Sequence, residues 1–179
     1  MNWIKEINQI NTESEKYFSE ISDSIFYAKP SDGKWSPAEN FNHLVKVNES
    51  YFPIFDKIHN GTFQAPFISR FSFFYKLFGN MIYQSVSDGG KKKVKTFPAW
   101  QPEPKLSSTV LKDFLNHQNE LKNQIQKIHP FAEHNTIIHS PVNRLIVYPL
   151  HQALDIIVAH EWRHLEQAKS ALQSVSEKA

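Results

Sequence analysis

The segment His160-Glu161-Trp162-Arg163-His164 sets two imidazoles four residues apart around a carboxylate. On a helix such a pair stacks on one face, one turn apart, so both rings can reach a single ion. Buried imidazoles also need partners for their polar nitrogens, and a shared metal supplies them. The pattern reads H-E-x-x-H, which in zincin proteases provides two zinc ligands and a glutamate base. The rest of a zincin is missing. Only fifteen residues follow His164, and Gln167 and Ser170 stand where the elongated motif needs glycine and histidine. A third ligand has to come from upstream.

His43 is the upstream candidate. It lies one position before Leu44 and one turn before Val47, at the margin of an apolar stripe. Three neutral imidazoles leave positions open for water or substrate, as in catalytic rather than closed structural sites. Glu161 is the candidate general base if it faces the ion. Its rotation of about 100° from His160 around the helix leaves a supporting or a surface place as the alternatives. Arg163 and Gln167 are candidate supporting or substrate contacts. Of the other histidines, His59, His117, His129 and His134 fall at helix ends or on polar faces and are expected in solvent. His139 and His151 flank the last helix without a partner at ligand spacing.

Composition narrows the chemistry. The 179 residues include no cysteine, so thiolate nucleophiles, disulfides and cysteine-type zinc sites are excluded, and a metal must be held by nitrogen or oxygen. A net charge of +2, with one short basic run at Lys91-Lys92-Lys93 and Lys95, does not make a nucleic-acid-binding face. The N-terminus lacks the apolar core of a signal peptide, and no apolar run approaches the roughly 20 residues of a spanning helix. A cytoplasmic protein of one domain, residues 1–179, with no transmembrane segment is the expectation.

Helices have to position these side chains. Trp3, Ile7, Ile10, Ser14, Tyr17, Ile21 and Ile25 recur at three or four residues and predict one helix from about Asn2 to Tyr27, closed by turn residues at 29–33. Ser36-Pro37-Ala38-Glu39 is a capping box opening a second helix, with proline at its first position. That helix runs through Phe41, Leu44, Val47, Tyr51, Ile54 and Ile58 to Asn60-Gly61, and Pro53 should bend it. A third helix is expected from about Ser108 to Ile128 and a fourth from about Pro149 to Ser174, with no strand pair, because no hairpin turn chemistry is evident. The sum is an all-α protein, an antiparallel four-helix bundle with an irregular, aromatic-rich insertion between helices two and three. Within that insertion, Phe67 to Phe78 reads as a short helix lying over the bundle end, with a homodimer contact or a membrane-surface contact as alternatives.

Two of these stretches resemble the DinB-like (DinB/YfiT) superfamily of metal-binding four-helix bundles. Trp35-Ser36-Pro37-Ala38-Glu39-Asn40-Phe41-Asn42-His43-Leu44 is similar to that family's opening of helix two. His160-Glu161-Trp162-Arg163-His164-Leu165-Glu166-Gln167 is similar to its H-x-x-R-H-L-x-Q signature. The loop from Lys95 to Pro104 also resembles members of the group. The resemblance implies His43, His160 and His164 as ligands of one divalent ion, zinc or nickel first, with manganese and iron also compatible. It further implies a small-molecule substrate, with a low-molecular-weight thiol as cosubstrate of an S-transferase or water as that of a hydrolase. A non-catalytic metal-binding or stress-response module with a structural or vestigial metal is the alternative.

Overall fold

The computed structural model describes residues 1–30, 33–87 and 95–177. These residues are mostly helical, with one small two-stranded sheet among them. The expected turn at 29–33 falls partly, and the run Lys91-Lys92-Lys93 wholly, outside the described residues.

Helix α1 covers Trp3–Phe18, with Ile7, Ile10, Ser14 and Phe18 turned inward and the Asn2 side chain capping the backbone N–H of Lys5. It stops nine residues short of the expected end, and a separate turn of helix, α2 (Asp23–Phe26), follows. The reason lies in packing. Phe18 and Phe26 both rest on Phe41, at ring-centroid distances of 5.1 and 6.0 Å. A straight helix would carry residue 26 about 12 Å beyond residue 18.

Helix α3 (Pro37–His59) begins as the capping box predicts. Ser36 Oγ accepts from the Glu39 N–H at 3.1 Å, and Glu39 Oε2 accepts from the Ser36 N–H at 2.9 Å. Loss of such a cap costs about 1 kcal/mol. The helix continues through Pro53. The aromatic stretch is more ordered than its composition implies. Phe67–Arg70 is a 3-10 turn, and α4 spans Ser72–Ser87. After a second 3-10 turn at Pro98–Trp100, α5 covers Val110–Glu133 and runs past the expected end, through Pro130.

A hairpin then appears where none was expected. β1 (Ile137–Ser140) pairs antiparallel with β2 (Asn143–Pro149), with Ile138 opposite Tyr148 and His139 opposite Val147. Its turn holds no glycine. Side chains shape it instead, as Asn143 Oδ1 accepts from the Leu145 N–H at 2.9 Å. The Tyr148 hydroxyl meets that of Tyr51 at 2.9 Å and ties the hairpin to α3. Helix α6 (Leu150–Ser176) follows directly, and the Leu150 N–H donates to the Thr136 carbonyl at 2.7 Å.

The long helices pack on one another, α3 against α5 and α6, and α1 against the same two. Two apolar clusters fill the space between them. Along α3, α5 and α6 these clusters meet at Asn48, Gln118 and Glu161, each fully buried.

His117, expected in solvent, is only 6 % exposed and stacks on Phe52 with ring centroids 5.3 Å apart. It falls at i+3 from Phe114 and i−4 from Leu121, so the core stripe of α5 takes it in. Neither ring nitrogen has a hydrogen-bond partner among the described residues, and burial pushes the pKa from 6.5 down to about 4. An unfolded His117 therefore takes up a proton that the folded one refuses between those values. Its stabilising effect is complete above pH 6.5 and disappears as pH falls towards 4, a loss of about 3 kcal/mol. Urea denaturation at pH 7 and pH 4 should show a smaller acid loss for His117→Leu than for the wild type. Equal losses would exclude His117 as a source of acid lability.

Candidate metal centre

His43, His160 and His164 meet in space. One ring nitrogen from each lies within 4.8 Å of the other two, forming a set that could hold a metal ion. Ring centroids are 5.0 Å apart for His43–His160, and 4.5 Å for both His43–His164 and His160–His164. His43 Nε2 and His160 Nε2 are separated by 3.3 Å. Two nitrogens on one tetrahedral zinc, each at about 2.0–2.1 Å, would lie about 3.4 Å apart. The spacing fits.

Local structure sets the direction of two of the rings. His43 Nδ1 donates to the Trp100 carbonyl at 2.6 Å, which leaves Nε2 with its lone pair free when the ring is neutral. His164 Nδ1 donates to Asn40 Oδ1 at 2.9 Å, with the same result. The Asn40 amide is itself fixed, because its Nδ2 donates to the Ser36 carbonyl at 3.0 Å. The capping turn that starts α3 thus also orients a ring on α6.

The Trp100 carbonyl is held by the proline-studded loop. Lys46 on α3 donates to the Gln101 carbonyl at 2.9 Å and pairs with Glu103 at 2.7 Å, while Asn42 Oδ1 accepts from the Glu103 N–H at 2.9 Å. The Trp35 indole covers the cluster from one side, 4.8 Å from His43 and 5.7 Å from His164. His43 and His164 are buried, and His160 is half-buried.

Electrostatics keeps the cluster neutral. Burial pushes the His43 pKa down to about 4, against the opposing pull of the Trp100 carbonyl. His160 and His164 lie well below the usual histidine range, first through burial and then through neighbouring positive charge, including Arg163. His160 Nδ1 is buried with no hydrogen-bond partner among the described residues. With Nδ1 protonated, His160 would turn an Nε2 lone pair onto that of His43. With Nε2 protonated, the Nδ1 lone pair is left unpartnered. A cation among the three nitrogens removes the clash of lone pairs, so the donor set suits the ion that the sequence implied.

Glu161 does not join the three imidazoles. It is fully buried, accepting from Asn48 Nδ2 at 2.7 Å through Oε1 and from Gln118 Nε2 at 3.0 Å through Oε2. Burial pushes its pKa up to about 7, with the Gln118 and Asn48 bonds pulling the other way. Arg163 donates to the Ser85 carbonyl and so joins the end of α4 to the helix that carries two of the histidines. Sequence reasoning missed Asn40, Trp35 as a cover, and the Trp100 carbonyl. Asn40 could have been found from its place four residues after the cap, but a backbone carbonyl leaves no mark in a sequence.

The chain matches no curated protein and no solved structure. A family model of the DinB superfamily matches residues 6–168. That span contains the capping box, all three histidines, α1 from Glu6 onward, the whole of α3, α4 and α5, and α6 up to Ala168. The chain therefore belongs to the DinB superfamily.

Proposed function

We propose that this protein is a divalent-metal-dependent enzyme acting on a small molecule, with His43, His160 and His164 as ligands of zinc or nickel. In this reading the chain forms a single domain, and α1, α3, α5 and α6 are the antiparallel four-helix bundle that frames the site. One observation carries the proposal: three imidazoles bring one ring nitrogen each to within 4.8 Å of one another, and no carboxylate joins them among the described residues. A bound ion would supply Lewis acidity to a thiol or water nucleophile, favouring an S-transferase or hydrolase reaction. The protein's own groups fix the rings and keep them unprotonated, while Trp35 limits access from its side. Both Glu161 oxygens bond to amides in the core, so we assign Glu161 to holding α6 against α3 and α5 rather than to proton transfer.

The test is metal analysis of protein purified without supplementation. A screen of electrophilic substrates with low-molecular-weight thiols, run with and without metal, completes it. Near-stoichiometric ion and metal-dependent consumption of an electrophile are expected. Bound metal without metal-dependent turnover, by transfer or hydrolysis, would favour the non-catalytic module.

A further inference from the structure

Helix α4 carries its apolar residues on the wrong side for a buried helix. Phe73, Leu77 and Met81, at i, i+4 and i+8, form one stripe and are 68 %, 47 % and 53 % exposed. Phe67 and Phe71, in and beside the preceding 3-10 turn, are exposed as well, as is Leu145 on β2, an element that packs against both that turn and α4. The opposite side of α4, at Gly79 and Ile82, faces the protein. The exposed stripe is thus an addition to the helix's packing face.

Charge says what covers it. The runs 57–87 and 134–154 contain no aspartate or glutamate, although Asp56, Glu133 and Asp155 flank them and Asp155 lines one cavity with Lys76. The two runs carry Lys57, Arg70, Lys76 and Arg144, while the whole chain totals only +2, so the remainder is net acidic. Arg70 sits 5.2 Å from the centre of the Phe67 ring, and Lys76 lies one residue from Leu77 along α4. A second copy docking face to face would bring these cations together. No helix among the described residues is long and apolar enough to cross a membrane, so the stripe belongs to a surface contact rather than a span. The carboxylate of Asp155 is engaged by the Trp3 indole N–H at 2.7 Å. Exposed phenylalanine, leucine and methionine beside Arg70 and Lys76 match an anionic phospholipid surface, with side chains entering the headgroup region and cations facing lipid phosphates.

We propose that α4 and the adjoining 3-10 turn dock this protein on anionic membranes. The experiment is co-flotation of the full chain with phosphatidylcholine vesicles, with and without added phosphatidylserine. Partitioning onto the anionic vesicles should be at least about tenfold stronger and should fall with added salt. Leu77→Asn combined with Met81→Asn should reduce it by about tenfold or more, and Lys76→Gln alone by about fivefold, the share of one cation near such a surface. Both variants alter exposed side chains, so unchanged helical circular dichroism and thermal midpoint serve as the folding control. Absence of flotation, or flotation that neither variant weakens, would overturn the proposal. Self-association without vesicles that the Leu77→Asn, Met81→Asn pair abolishes would overturn it in favour of a homodimer face.

Discussion

Replacing His43 with alanine should weaken divalent-metal binding by more than about 100-fold, beyond the range typical of losing an outer hydrogen-bond partner. The ring is held from both ends, with Nδ1 on the Trp100 carbonyl and Nε2 at 3.3 Å from His160. Its loss removes one of three nitrogen donors, the one that joins α3 to the pair on α6. Metal that binds only the native state stabilises it by about 2.7 kcal/mol at a hundredfold excess over Kd, so the wild type should gain thermal stability on metal addition. The variant should lose that gain. Because the substitution deletes a polar ring and spares both apolar clusters, the metal-free variant should remain folded and helical. Chelator competition with circular dichroism on the same samples decides the matter. Wild-type affinity in the variant would remove His43 from the site, and metal-free unfolding would make it a packing residue.

Glu161→Ala should be the costliest of the substitutions for stability, at about 4 kcal/mol. The change leaves the buried amides of Asn48 and Gln118 with donors and no acceptor, each worth about 1–3 kcal/mol, beside a new cavity. Glu161→Gln keeps the shape and one acceptor oxygen, so it should cost much less, about 1–2 kcal/mol. Urea denaturation of both variants at one pH measures the difference. Equal, small costs would mean that the buried contacts of Glu161 do not fix α6. The glutamine variant also separates roles: a positioning carboxylate allows turnover to persist, whereas a general base does not.

The sequence by itself determined the local matters. Ser36, Pro37 and Glu39 fixed where α3 starts, since capping is satisfied within four residues. The four-residue spacing of His160 and His164 fixed their shared face, since helical geometry is the same everywhere. Apolar periodicity marked the long helices, although it also joined α1 to α2, because Ile21 and Ile25 keep the helical phase across the break at Ser19–Ser22. What depends on partners distant along the chain was decided only in the tertiary structure. The hairpin from Ile137 to Pro149 is held by its packing and by Tyr51, not by a recognisable turn. His117 looked like a surface histidine until Phe52 of α3 covered it. Glu161, next in the chain to one candidate ligand, faces Asn48 and Gln118 because a rotation of about 100° per residue carries it into the core. The orientation of the imidazoles rests on Asn40 and on the Trp100 carbonyl, 124 and 57 residues away in the chain from the rings they hold. Spacing brings two ligands together, but only packing of α3 against α6, with the loop at 98–103 held on α3, closes the set and turns its nitrogens inward.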